Sequence, residues 1–397
     1  MVAAVRRGRT IRLVAHEFRV NRWTVRRWVE RAGDQRLDRV DWTDRRRGPR
    51  RPANRTSPRI EDDILRVRQK LREESDLGEF GDAAIHRQLL TQGYPCTPSV
   101  RTIGRVLLRR GLLDGRRRIR RKAPPRGWYL PDVAQGQAEL DSFDIVSGLV
   151  IRGGIDVEVL NAISLHGALV GSWVRSFISA RETTQALLEH WREFGLPAYA
   201  QFDNDSRFHG THRWPNSLGQ VTRLCLSLGV VPVFVPPREP GFQAAIESYN
   251  GRWQTKVWAR FQHPSLPALQ NQSSKYVQAN RRRSAIRQEA APARAAFPEG
   301  SLLNLHLPRR GRVVFLRRTD QKGRATLLGH SFSVDPFWPH RLVRSELDFD
   351  SNLIRFYALR RREPHQQPLL AQTPYQLPRK PFQGRSPFAD SCHESTD

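Results

Sequence analysis

The sequence predicts an α/β protein of several domains: helical modules first, a central domain of βββαβαβα order, then a small β-barrel. Three observations predict this. The 397 residues suffice for two or three domains. Basic residues outnumber acidic ones by 19 over residues 1–130, fall short by 2 over 131–265 and exceed them by 11 over 266–397. Hydrophobic periodicity changes along the same blocks, being helical at first, strand-rich in the middle and alternating near the end.

Composition narrows the partners. The chain carries 67 Lys and Arg against 39 Asp and Glu, a formal charge of +28, and all but six of the basic residues are arginine. Arginine is an always-charged fork matched to phosphate oxygens, so nucleic acid is the leading partner class. Cys96, Cys225 and Cys392 lie far apart, which argues against a disulfide framework or a cysteine zinc site. The most apolar stretch, 224–235, contains Pro232 and is too short for a membrane span. Residues 1–10 hold no apolar leader core, so a soluble, cytoplasmic protein is expected.

Residues 1–44 read as a helix-turn-helix, with two short helices over 11–31. Leu13, Val14, Ala15 and Phe18 give the first an apolar face; Asn21 caps the second, where Val25, Trp28 and Val29 recur at helical spacing. Arg22, Arg26 and Arg27 occupy its other face, placed for phosphates and base edges. Arg19 stands where such a turn usually has Gly. A basic, Pro-broken linker follows over 45–58. Residues 59–115 then read as a second helix-turn-helix. Ile60, Ile64, Val67 and Leu71 mark one helix, and Ile85 and Leu89 the next. The third has Thr97 as N-cap, Pro98 in its first turn and Gly111 as its stop. Val100, Ile103 and Leu107 face inward there, while Arg101, Arg105 and Arg109 line the outer face for DNA. A second basic linker covers 116–130.

The central domain, 131–300, has strands at 138–145, 157–165 and 169–178, a helix at 182–194 and a strand at 199–202. A helix at 218–228, a strand at 231–235 and a long helix at 242–261 complete the order, and a polar helical stretch follows at 273–294. Alternating strands over 301–362 suit the barrel, and the Pro- and Gln-rich tail 363–397 reads as disordered.

Acids stand where an open sheet offers a site. Asp141 lies in the first strand, Asp203 directly after the fourth, and Glu247 on the helix after the fifth. Clustered carboxylates repel unless a cation neutralises them, and oxygen ligands suit Mg²⁺ or Mn²⁺. Two such ions about 4 Å apart serve phosphodiester displacement. Asp205 reads as a turn or helix cap and Glu239 as surface. Asn250 and Gln254 share a face with Glu247 and would orient a ligand or touch DNA. Trp253, Trp258 and Phe261 read as packing, and His209 and His212 as surface loop residues.

With Asp203-Asn204 and Glu247-x-x-Asn250, the central block resembles the integrase core of DDE transposases of bacterial insertion sequences, within the retroviral-integrase superfamily. The likeness runs over residues 10–360. It implies an RNase H-like fold, with Asp141, Asp203 and Glu247 as catalytic and metal-binding triad, two Mg²⁺ or Mn²⁺ ions, DNA ends and target DNA as partners, and at least a dimer. The sequence departs from the family in three places. Asp205 replaces the usual Gly, 43 residues separate Asp203 from Glu247, and Ala138 and Glu139 precede the first acid. Asp144 and Glu139 therefore stand as alternative first ligands. A catalytically inactive DNA-binding regulator and a nuclease that cuts without joining are the rival readings.

Overall fold

The computed structural model describes residues 1–44, 56–94, 96–113, 126–210, 215–239, 241–298, 305–306, 309–361 and 363–378. Most of both basic linkers, His212 and the tail from 379 lie outside the described residues. The chain forms two compact units, Met1–Asp62 and Asp63–Asp397.

The first unit holds α1 (Val2–Arg6), α2 (Ile11–Glu17) and α3 (Arg22–Ala32). Thr10 caps α2 and Asn21 caps α3, each side-chain oxygen accepting a backbone N–H of the first turn. Val14, Ala15 and Val25 are buried between them, but Leu13 and Phe18, expected on the apolar face, are about half exposed at 54% and 48%. Arg19 has φ +51°, the left-handed conformation for which glycine is the usual residue.

The unit boundary falls inside α4 (Pro58–Glu74). In the second unit α5 (Asp82–Thr91) packs on α6 (Val100–Arg109) through Ala84, Ile85 and Leu89 against Ile103, Val106 and Leu107. Ser99 caps α6, in place of the expected Thr97, whose hydroxyl donates instead to the Tyr94 carbonyl. Val100, expected inside, is partly exposed, and Val106 takes the inward position. Residues 126–130, expected within a linker, join the core: Trp128, Tyr129 and Leu130 are buried because their apolar bulk finds cover against Phe242 and Tyr199. The turn α7 (Pro131–Ala134) leads into the sheet.

Nine strands form that sheet. In chain order β1 (Leu140–Ile151), β2 (Ile155–Ser164) and β3 (Val170–Arg175) run antiparallel. After α8 (Ala180–Phe194), β4 (Tyr199–Phe202) pairs parallel with β1. The short α9 (Ser206–His209) and α10 (Gln220–Ser227) precede β5 (Val231–Phe234), parallel to β4. Helix α11 (Ala244–Trp253) continues as a π-turn, Gln254–Trp258, and α12 (Leu266–Glu289) follows. This is the βββαβαβα order expected from the sequence. Trp191 and Leu187 of α8 and Leu224 of α10 cover one face of the sheet with Phe143 and Phe202, while Ile246, Tyr249 and Trp253 of α11 cover the other. At the β3 edge, Gln270 and Arg281 of α12 donate to the Val174 and Val170 carbonyls, satisfying strand acceptors that would otherwise be open.

The C-terminal strands do not form the separate barrel expected over 301–362. Here β6 (Arg312–Arg318) pairs parallel with β5, Val233 opposite Val314 and Phe234 opposite Phe315. The hairpin β7 (Arg324–Leu327) and β8 (His330–Ser333) stands apart. Strands β9 (Leu342–Asp348), β10 (Leu353–Ala358) and β11 (Leu369–Pro374) add antiparallel, giving the order β11-β10-β9-β6-β5-β4-β1-β2-β3. The physical reason lies in β6, where Val313, Val314, Phe315 and Leu316 are all apolar and buried, so the strand needs cover on both faces. Among the described residues no helix is long and apolar enough to cross a membrane.

Candidate active site

Parallel pairing sets Ser142 of β1 beside Gln201 of β4; Asp144 lies two residues further along β1, within the strand, and Asp203 directly follows β4, which ends at Phe202. Glu247 lies in the first turn of α11 and is exposed. Burial, then the charges of Asp203 and Glu247, push the Asp144 carboxyl up to about 6. Asp203 is raised as well, by burial first, against a backbone N–H from Asp205 that favours its charged form. The three acids share one electrostatic neighbourhood. Yet among the described residues no three His, Cys, Asp or Glu side chains stand grouped as a ready cage for a metal ion.

Asp141, the expected first acid, is not among them. Side chains alternate along a strand, so residues three apart face opposite ways. Asp141 is fully buried on the α8 side, where Arg294 grips both carboxylate oxygens at 2.9 and 2.6 Å and the Trp191 indole donates at 3.1 Å. Burial alone would raise its pKa, but the Arg294 charge and hydrogen bonds outweigh that and hold it low. His190, 3.8 Å away and also buried, is pushed down to about 4, chiefly by desolvation. Glu139, the other alternative, accepts the backbone N–H groups of Leu140, His166 and Gly167 and anchors a turn. Asp144 alone of these joins Asp203 and Glu247.

The segment after Asp203 is tied down on both sides. Asp205 caps α9 and pairs with Arg207, which also reaches Glu158 at 3.0 Å. Asn204 donates to the Val235 carbonyl at 2.7 Å and accepts from Arg317 of β6 at 2.9 Å. Desolvation lowers the Arg317 pKa to about 10. Sequence reasoning missed Arg317, and only the β5–β6 pairing brings it to this end of the sheet.

The loop into α11 is fixed through Phe242, whose ring packs with Trp128 and Tyr129 and whose carbonyl accepts from Gln201 at 3.0 Å. Asn250, expected to orient a ligand or touch DNA, faces inward and donates to Asp144 at 2.7 Å. Gln254 is half-buried at the head of the π-turn. Trp253 is fully buried and Trp258 partly so, whereas Phe261, expected to pack, is partly exposed beneath the Arg260 guanidinium. His209, expected on the surface, is buried edge-on against Phe234 and Phe315. Glu239 pairs with Arg318.

The expected DNA-contacting arginines lie on exposed faces of their own units. Arg22, Arg26 and Arg27 are exposed along α3, with Arg26 paired to Glu30 and Arg27 over the Trp23 ring. Arg101, Arg105 and Arg109 are exposed along α6.

No protein-family model and no curated protein matches the chain. Among solved structures, it is similar to a simian T-cell lymphotropic virus intasome in complex with PP2A regulatory subunit B56 gamma, at 14% identity over 67% of this chain and 84% of that one, TM-score 0.32. It is also similar to the HTLV-2 integrase catalytic core in complex with magnesium, at 17% identity over 40% and 87%, TM-score 0.27. The BIV integrase catalytic core follows, at 16% identity over 36% and 80%, TM-score 0.26. Likeness at this level establishes neither fold nor activity for this chain.

Proposed function

We propose that the chain is a metal-dependent DNA transposase with an RNase H-like integrase core, which binds its element's ends, cleaves them and joins them to target DNA. The observation that carries this is that Asp144 within β1, Asp203 just after β4 and Glu247 in the first turn of α11 lie close enough for the charges of the last two to act on the first. Asp144 replaces Asp141 in the triad. Carboxylate oxygens suit hard cations, and the mutual repulsion felt at Asp144 is what a cation relieves, so these three would hold Mg²⁺ or Mn²⁺. When bound, the metal supplies charge neutralisation for phosphodiester displacement. The protein's own part is to hold the acids in place: Arg317 and Val235 fix Asn204 beside Asp203, and Phe242 fixes the entry to α11. Arg22, Arg26 and Arg27 in one unit, and Arg101, Arg105 and Arg109 in the other, would grip DNA phosphates, and synapsis of two ends requires at least a dimer.

The test mixes purified chain, labelled duplexes from the DNA flanking its gene, supercoiled plasmid and Mg²⁺ or Mn²⁺. Labelled plasmid is expected with wild type, and not with Asp144→Asn, Asp203→Asn or Glu247→Gln. Nicks without joined label would make the chain a nuclease, and tight binding without product a DNA-binding regulator. DNA affinity is expected to fall about 10³-fold or more between roughly 50 and 200 mM salt, as for six or more phosphate contacts.

A further inference from the structure

The register of the three antiparallel strands sets Asp144 opposite Asn161, and Asn161 opposite Ser172. Helix α11 lies over this row and lowers Asn250 and Tyr249 onto it. An unbroken series of hydrogen bonds results. Tyr249 meets Ser172 at 2.8 Å, Ser172 donates to Asn161 Oδ1 at 2.6 Å, Asn161 donates to Asn250 Oδ1 at 2.8 Å, and Asn250 donates to Asp144 Oδ2 at 2.7 Å. Asn161 and Tyr249 are fully buried, and Asn250 nearly so.

The acid dictates the direction. An ionised carboxylate only accepts, so Asn250 must present its NH₂ to Asp144 and its carbonyl to Asn161. Asn161 must then donate to Asn250 and accept from Ser172. The single Ser172 proton is thereby committed, and Tyr249 must donate to Ser172. Every member has one possible polarity, and every donor points toward Asp144. The other Asp144 oxygen accepts the Ile145 N–H at 3.0 Å, so both oxygens are held from the protein side. Buried polar groups in a row are costly unless fully matched, and when matched they hold one geometry.

We propose that Tyr249, Ser172, Asn161 and Asn250 form a one-way hydrogen-bond relay that positions the Asp144 carboxylate for the reaction proposed above, on which this inference rests. Asn161, Ser172 and Tyr249 are positioning residues acting through Asn250.

The experiment measures strand-transfer turnover and DNA affinity of the full chain for Asn161→Ala, Ser172→Ala, Tyr249→Phe and Ser172→Thr, beside Asp144→Asn. Turnover is expected to fall about 10- to 100-fold in Asn161→Ala and about 10-fold or less in Ser172→Ala and Tyr249→Phe, with DNA affinity unchanged. Ser172→Thr keeps the hydroxyl and is expected to restore turnover. Wild-type rates in the first three, or equal losses in Ser172→Ala and Ser172→Thr, overturn the relay. An active Asp144→Asn overturns the active-site assignment instead. A second measurement needs no activity: urea midpoints of Asn161→Ala, Asp144→Ala and the double variant. A relay makes the stability change of the double variant differ from the sum of the two single changes; strictly additive changes overturn it.

Discussion

Two aspartates three residues apart on β1 meet opposite fates. Asp141 looks into the α8 side, where a bidentate arginine and an indole N–H neutralise it completely. Asp144 looks toward α11, where its nearest charges are two further acids and its pKa rises to about 6. One carboxylate is spent on holding the fold together, and the other forms no ion pair among the described residues. The difference follows from strand parity, and it separates an acid paired in the core from one surrounded by other acids.

The largest effect expected from this contrast is on chemistry. Asp144→Asn should cut strand transfer by roughly three orders of magnitude or more while the chain stays folded, as measured by product formation beside a circular-dichroism melt. Asp141→Ala should do the reverse, destabilising the chain by about 3–5 kcal/mol through the stranded Arg294 charge, as read by chemical denaturation. An Asp141→Ala chain of wild-type stability would erase the contrast.

The next effect is pH-dependent. Asp144 has a folded pKa of about 6 against the usual 3.8, so its contribution to stability is fully present below about pH 4 and is lost as pH rises through 6. Asp141, with a lowered pKa, contributes above 3.8 and loses that contribution as pH falls through its folded value. Without divalent ions, Asp144→Asn should therefore gain on wild type between pH 4 and pH 7, by up to ~3 kcal/mol in urea denaturation. Asp141→Asn should show no such gain. The smallest effect is expected for Arg294→Lys, which keeps the charge but loses the two-pronged grip, at about 1 kcal/mol by the same measurement.

Much of this was readable in the sequence because the signals are local. The strand and helix order of the central domain, Asp203 after its strand and Glu247 on its helix all depend on short runs of residues. The first acid depended on the phase of one strand, and AELDSFDIV carries acids on both faces. A clue was present: Phe143 and Ile145 share parity with Asp141, which marks that side as the apolar one, whereas Asp144 shares parity with Ser142. The C-terminal strands and Arg317 were not readable, because pairing of β6 with β5 joins segments some 80 residues apart and leaves no local trace. Trp128 and Tyr129 were hidden by the basic residues before them, whose charge masked two aromatic anchors.

The pairing of β5 with β6 also bears on how the chain is made. Until residues 312–318 have left the ribosome, β5 is an unpaired edge, with Val233 and Phe234 buried in the finished protein but still open to water. Asn204 likewise waits for Arg317. The nascent chain thus carries the helices of its first unit well before Asn204, the neighbour of Asp203, gains the brace it receives from Arg317.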